Sequence, residues 1–235
     1  ARMITPYAGY YSKSWTHPYT FDVSDFASLM HDSVQIEAFY SGWSDGFTAT
    51  CDFEMITGMP PHNAYKVVPM WTGTFPYGNT SDPNSNYLTP RAIKIDSAAS
   101  AVRLRVLQTG HGEDANNCSE FCPNYNHIKV NGTQHYTTYV WKDDCGLNPL
   151  YHQAGTWLYN RANWCPGDQV TPYLYDLSPY VMPGKTDTIL MSMDPYSVTP
   201  YGGSVYTIGS ELIYYGPINF TLDASVDDIL APTSN

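Results

Sequence analysis

Short stretches of alternating apolar and polar residues, each bounded by a cluster of turn-forming residues, recur along nearly the whole chain of 235 residues. This alternation has the period of two that a half-buried β-strand requires. The chain also contains 21 tyrosines, 6 tryptophans and 18 prolines, a composition that favours pleated strands and turns over helices. We therefore predict an all-β protein.

The first predicted element is a hairpin. Residues 34–40 and 47–56 each alternate in polarity, and the turn-forming sequence Ser-Gly-Trp-Ser-Asp-Gly lies between them. A short helix or turn is predicted before the hairpin, at residues 23–30. Further strands are predicted at residues 64–71, 101–109, 127–130, 186–193, 204–215 and 218–222.

Two consecutive prolines, Pro60 and Pro61, mark the clearest break in the chain, because they cannot both lie inside a central strand. We place a domain boundary there, with residues 1–58 in one domain and residues 59–235 in another. The first segment offers about three strands, too few for an independent sandwich. We therefore expect it to complete a domain whose other strands lie on a segment that precedes residue 1.

The charge balance excludes several classes of partner. Eleven basic residues against 22 acidic ones give a net charge of -11, so the positive field that attracts nucleic-acid phosphates is missing. No stretch approaches the roughly 20 apolar residues that span a bilayer, so no membrane partner is expected. A composition of 43% hydrophobic and 14% charged residues is typical of a folded protein and excludes an intrinsically disordered chain.

Five cysteines lie at Cys51, Cys118, Cys122, Cys145 and Cys165. The last four indicate two disulfides and thus a secreted or periplasmic protein, and nearest-neighbour pairing (118 with 122, 145 with 165) is favoured among three connectivities. Zinc is the alternative, but the last two cysteines lie much farther apart than the two to four residues that usually separate paired ligands. The odd cysteine is expected to be a buried thiol or, alternatively, to form an interchain bond.

The short loop between Cys118 and Cys122 contains one carboxylate, Glu120. A disulfide across so few residues would hold that carboxylate in a nearly fixed orientation, as a catalytic or ligand-binding site requires. The alternative is a stapled surface loop with a solvated glutamate. The residues of the loop alone leave both interpretations open.

Three cysteine-containing motifs carry a resemblance to a known family. They read C-S-E-F-C at residues 118–122, D-C-G-L-N-P at 144–149 and R-A-N-W-C-P-G at 161–167. In this order and spacing they resemble the motifs C-A-E-W-C, G-C-S-A-N-P and R-A-G-W-C-P-G of the peptide-N-glycosidase F family. The match continues through residues 3–7, 21–26 and 52–54, and it covers essentially the whole chain.

The resemblance implies two adjacent antiparallel jelly-roll β-sandwiches, with residues 1–58 contributing only the last strands of the first. It also implies an amidohydrolase that cleaves the bond between an asparagine side chain and the first N-acetylglucosamine of an N-linked glycan. The products are aspartate and a glycosylamine, and the expected substrates are N-glycosylated peptides and glycoproteins. Neither a metal nor an organic cofactor is implied.

The resemblance also implies site residues. Glu120 and Arg161 correspond to a glutamate and a guanidinium at the reacting sugar, so both are expected to be catalytic. Phe121, Trp164 and Trp43 correspond to aromatic side chains that bind substrate. His111 is expected to bind substrate in place of a family tryptophan.

Two family carboxylates have no counterpart in this sequence. A second glutamate of the family falls at Ser41, and Asp45 could supply the carboxylate in its place. The water-activating aspartate of the family belongs to a C-D-E-W-D-R segment that would precede residue 1. We therefore expect this aspartate to lie on a companion chain from the same precursor or, alternatively, on a segment of the same protein outside this sequence.

Two other functions are considered. A non-catalytic glycan-binding or adhesion module would keep the sandwich and its aromatic residues without the aspartate. A copper monooxygenase shares the two-jelly-roll plan, but it needs clustered histidine ligands, and the 7 histidines here show no H-x-H or adjacent pair.

Overall fold

The computed structural model describes residues 1–40 and 46–220, and these form an all-β structure with a few short 3-10 helices. The helices are Ala8–Tyr10, Ser24–Leu29, Asn84–Asn86 and Cys145–Leu147. The strands are β1 (His62–Pro76), β2 (Arg91–Lys94), β3 (Ala101–His111), β4 (Asn124–Val130), β5 (Thr133–Val140), β6 (Tyr173–Asp176), β7 (Thr186–Met193) and β8 (Val205–Ile218).

These strands form two four-stranded antiparallel sheets, ordered β1-β8-β3-β6 and β2-β7-β4-β5. Alternation explains how the sheets pack, because β3 buries Val102, Leu104 and Val106 and leaves the residues between them more exposed. Facing residues of the second sheet, Ile128 on β4 and Ile189 on β7, belong to the same buried core. The predicted all-β, antiparallel sandwich is confirmed.

A polar layer crosses this core near the end of β3. Asn126 on β4 donates to the side-chain oxygen of Gln108 on β3 at 2.8 Å, and the Tyr175 hydroxyl donates to Asn126 at 2.9 Å. All three residues are buried. Buried polar groups are tolerated when they are hydrogen-bonded to one another, and this set fixes the register between the two sheets.

The predicted hairpin is not formed. Residues 34–40 and 46–57 contain no strand, and these residues are exposed. Alternating polarity stabilises a strand only where a neighbouring strand pairs with it and a core covers its apolar face. The turn at residues 41–45 lies outside the described residues, and the division of the chain after residue 58 stays a prediction.

Both predicted disulfides are present. Cys118 pairs with Cys122 and Cys145 with Cys165, with Cα atoms 4.9 Å and 5.3 Å apart. These four thiols are therefore not available as zinc ligands. Cys51 is a free thiol and is exposed, so the prediction that it is buried is wrong, because the strand expected to bury it is not formed.

Within the described part of the chain, none of the helices has the length and apolar character needed to cross a bilayer.

Candidate functional site

The candidate site lies at one end of the sandwich, where two disulfide-containing loops meet. One loop joins β3 to β4 and contains Glu120, and the other joins β5 to β6 and contains Arg161. Backbone hydrogen bonds tie them together: the Glu120 N–H donates to the Gly112 carbonyl at 3.0 Å, and the Ala162 N–H donates to the Glu120 carbonyl at 2.9 Å. The glutamate backbone is therefore fixed from both sides.

Gly110 allows the end of β3 to approach both loops. A Cβ at this position would lie 2.5 Å from the carbonyl oxygen of Ser119 and 2.7 Å from the Cβ of Ala162. Its N–H donates to the Ala162 carbonyl at 3.1 Å. Only glycine fits between these groups without displacing one of the loops.

The carboxylate of Glu120 is held by two donors. Its Oε1 accepts a hydrogen bond from Arg161 Nε at 2.9 Å, and its Oε2 accepts one from the backbone N–H of Gly112 at 3.1 Å. The side chain is 16% exposed, so it still faces solvent. Two fixed donors leave lone pairs on both oxygens available to a substrate hydroxyl, an amide N–H or a water.

Arg161 is completely buried beneath this carboxylate. Besides the bond to Glu120, its guanidinium donates to the carbonyls of Tyr159 and Thr156 and to the Thr156 hydroxyl. Four of the five guanidinium N–H groups are thus used within the protein. Arg161 therefore supports the glutamate, and its guanidinium is not exposed at the surface.

Three aromatic rings lie close to the guanidinium. Its central carbon lies 4.8 Å from the ring centres of Phe121 and Trp164, and 5.9 Å from that of Tyr7. A desolvated guanidinium over an aromatic face gains favourable electrostatic energy. These rings therefore offset part of the cost of burying the charge.

Trp164 packs against the arginine, and His111 packs against Trp164. Trp164 is 5% exposed and donates its indole N–H to the Gly110 carbonyl, and the His111 ring packs against it with centroids 5.1 Å apart. Burial, with a smaller contribution from Arg2, lowers the pKa of His111 to about 4. The structure thus brings these two predicted substrate-binding residues to the site, where Trp164 is buried and His111 is partly exposed.

An open cleft of about 870 Å³ lies above Glu120. Phe121 is the only predicted aromatic among its described lining residues, and its ring meets that of Tyr159 edge-on at 6.2 Å. Trp43 and Asp45 lie outside the described residues. The cleft is lined by Glu113, Asn117, Glu120, Phe121, Trp141, Thr156, Leu158, Tyr159 and Asn160.

Three of these lining residues were not predicted from the sequence: Trp141, Leu158 and Tyr159. The last two belong to the loop closed by Cys145 and Cys165, and they come shortly before Arg161. Exposed aromatic and apolar residues in a stapled loop next to a predicted site residue were the available signal. Trp141 carried no such signal, because the strand that leads to it was not predicted.

The other acids near the site differ in role. Asp114 is buried and accepts hydrogen bonds from the backbone N–H groups of Asn116 and Cys118 and from the Tyr196 hydroxyl. It therefore stabilises the loop. Glu113 is exposed and lines the cleft. Among the described residues, no group of three or more histidine, cysteine, aspartate or glutamate side chains is arranged to hold a metal ion.

Comparisons with known proteins agree with this architecture. The family model for the C-terminal domain of peptide-N-glycosidase F matches residues 79–197. The peptide-N(4)-(N-acetyl-beta-D-glucosaminyl)asparagine amidase F of Elizabethkingia miricola is 27% identical over 181 residues, which are 71% of this chain and 49% of the relative.

Solved structures give the same relationship. The structure of PNGase F, a glycosylasparaginase from Flavobacterium meningosepticum, superposes with a TM-score of 0.58 at 25% identity, covering 66% of this chain and 53% of the other. A structure of PNGF-II has a TM-score of 0.53 at 19% identity and covers 67% of this chain and 31% of the other, which supports the fold alone. The chain thus spans about half the length of the curated relative it matches. Because the family model matches half of its residues, the chain belongs to the peptide-N-glycosidase F family.

Proposed function

We propose that this protein takes part in removing N-linked glycans by hydrolysing the bond between the asparagine side-chain amide and the first N-acetylglucosamine. The observation that carries the proposal is the carboxylate of Glu120, held by Arg161 and the Gly112 N–H at an open cleft. This carboxylate belongs to the C-S-E-F-C motif that aligns with the family's own. A fixed acceptor that faces a cleft is suited to orient a sugar, an amide or a water.

Water is the only co-reactant that this hydrolysis requires. The oxygen of water bonds to the amide carbon, the bond from that carbon to nitrogen breaks, and the nitrogen leaves on the sugar as a glycosylamine. The peptide then carries an aspartate. A second water later adds its oxygen to the anomeric carbon of the glycosylamine, the bond from that carbon to nitrogen breaks, and ammonia and the free sugar result.

In this proposal Glu120 contacts the reacting sugar or amide, and Arg161 positions Glu120 from below. Phe121 and Tyr159 offer ring surface on which the apolar face of a sugar can lie. The amide side chains of Asn117 and Asn160 line the same cleft and can pair with sugar hydroxyl groups. Trp164 and His111 act through Arg161 instead of through contact with substrate.

We also propose that a companion segment supplies the water-activating carboxylate. Glu113 and Glu120 are the carboxylates that line the cleft among the described residues, and Glu120 is already bound to Arg161. Disulfides persist in oxidising compartments, which supports a secreted or periplasmic location. Mass spectrometry of the native protein under non-reducing conditions tests for a companion chain directly.

The test of the function is release of N-glycans from a denatured glycoprotein. Glu120→Gln should reduce the rate at least about 100-fold, the low end for one positioned acid-base group. Glu211→Gln is the matched control, because Glu211 also pairs with an arginine, Arg105 at 3.2 Å, and neither residue of this pair lines the cleft. Full activity of a folded Glu120→Gln variant would exclude the proposed role.

A non-catalytic glycan-binding module is the second candidate, supported by the aromatic lining of the cleft. It would be established if the native protein bound N-glycosylated peptides without cleaving them.

A further inference from the structure

Two exposed tyrosines lie side by side on the outer face of the second sheet. Tyr125 on β4 and Tyr139 on β5 are direct partners in the antiparallel register. Their ring centroids are 5.2 Å apart, and the two residues are 43% and 47% exposed. We call these two residues the tyrosine pair. Aromatic rings that a monomer leaves exposed side by side present a contiguous apolar surface with polar tips.

The tyrosine pair lies near the ends of β4 and β5 from which the chain leads into the residues of the cleft. Tyr139 precedes Trp141, which lines the cleft, by two residues. Tyr125 follows Phe121, another cleft residue, by four positions. The pair therefore stands at the end of β4 and β5 that leads into the cleft.

A polar edge borders the tyrosine pair. His127 Nε2 lies 2.7 Å from Asp194 Oδ1, and the other ring nitrogen of His127 lies 3.2 Å from the Thr137 hydroxyl. The Asp194 N–H in turn donates to the Tyr125 carbonyl at 3.1 Å. Rings bordered by a fixed set of donors and acceptors combine the two features that oligosaccharides require, an apolar face for the sugar ring and partners for its hydroxyl groups.

We propose that the tyrosine pair binds the outer sugars of the N-linked glycan whose first residues occupy the cleft. This rests on the proposed function for the class of ligand, and it adds a second contact surface outside the cleft. A peptide that extended the sheet would instead use the backbone groups of the edge strand β5. The tyrosines project from the face of the sheet, which favours stacking on sugar rings over strand addition.

Binding to the native, full-length protein tests the proposal without relying on hydrolysis. The probes are a free biantennary N-glycan, the disaccharide N,N'-diacetylchitobiose, and an unglycosylated peptide, titrated by isothermal calorimetry. The double variant Tyr125→Ala/Tyr139→Ala should weaken binding of the biantennary glycan at least about tenfold and leave binding of the disaccharide unchanged. Tyr125→Phe/Tyr139→Phe should keep most of the affinity, because it keeps both rings.

Tyr65→Ala is the matched control, because Tyr65 is a partly exposed tyrosine on β1 of the other sheet. It should bind both sugars as the unaltered protein does. Equal affinity of the alanine double variant and the unaltered protein for the biantennary glycan would overturn the proposal, as would binding of the unglycosylated peptide that depends on the two tyrosines. An unaltered protein that binds the biantennary glycan no better than the disaccharide would also overturn it. If Glu120→Gln abolishes hydrolysis and binding of the biantennary glycan still depends on the two tyrosines, the result would support the proposal. A native protein that binds the glycan without cleaving it would contradict only the proposed function.

Discussion

Replacing Arg161 by methionine tests whether this buried arginine organises the site. Methionine fills a similar volume but cannot donate to Glu120, to Thr156 or to the Tyr159 carbonyl. The loss of one partner from a buried ion pair costs roughly 3–5 kcal/mol, because the remaining charge and carbonyls lose their partners. For a chain of this size, that corresponds to a fall in Tm of about 6–20 °C.

The control is Arg105→Met, which also breaks an arginine–glutamate pair. Arg105 lies 3.2 Å from Glu211, and the side chains of this pair are 11% and 24% exposed, against 0% and 16% for Arg161 and Glu120. Because water screens the second pair better and its arginine makes fewer hydrogen bonds, a loss of about 1–2 kcal/mol is expected. Urea unfolding followed by tryptophan fluorescence measures both losses.

The two variants should also separate in activity, since only Arg161 orients the carboxylate at the cleft. Arg161→Met should lose glycan release even at a temperature where it remains folded, while Arg105→Met keeps it. Equal destabilisation of the two variants, or an active Arg161→Met protein, would refute the view that Arg161 acts by positioning Glu120.

Three further predictions follow from the same loops. The pKa of His111 is about 4 in the folded protein and 6.5 in the free side chain, so the unfolded state binds the proton at a higher pH than the folded state. The free energy of unfolding should therefore fall by up to about 3 kcal/mol as the pH is lowered from 6.5 to 4. Urea titrations at several pH values should show a weaker pH dependence of this free energy in His111→Gln. Gly110→Ala should cost about 1–3 kcal/mol in thermal unfolding and reduce glycan release, because its Cβ would meet the Ser119 carbonyl at 2.5 Å. Cys145→Ser/Cys165→Ser removes a disulfide whose cysteines are 20 residues apart, and it should lower the free energy of unfolding by about 3 kcal/mol in urea titrations. An unchanged urea midpoint would contradict this prediction.

The strands that were predicted correctly from the sequence are mainly internal strands, which pair with a neighbouring strand on each side. β3, β4, β7 and β8 are each internal in a sheet, and each carries an apolar face that gives a clear alternation. The strands that were missed, β2, β5 and β6, are sheet edges. An edge strand such as Thr133–Val140 buries few side chains, so the sequence shows little alternation and is rich in tyrosine and threonine.

The opposite error occurred at residues 34–40 and 47–56, where the alternation is clear but no strand forms. Polarity shows which face of a segment could be buried, but it does not show whether a partner strand is present to bury it. The same limit applies to Trp164. Its motif located it at the site, but whether its ring faces substrate or Arg161 depends on the packing of loops distant in sequence.

The position of Arg161 constrains where the remaining chemistry can come from. Hydrolysis of an amide requires donors for the oxygen that becomes negatively charged. Arg161 is buried and gives four of its five N–H groups to Glu120, Thr156 and Tyr159, so it is poorly placed to supply them. The side-chain amides of Asn117 and Asn160 line the cleft instead. In this arrangement the arginine fixes the acceptor, and we expect the donors for the proposed hydrolysis to come from the cleft surface.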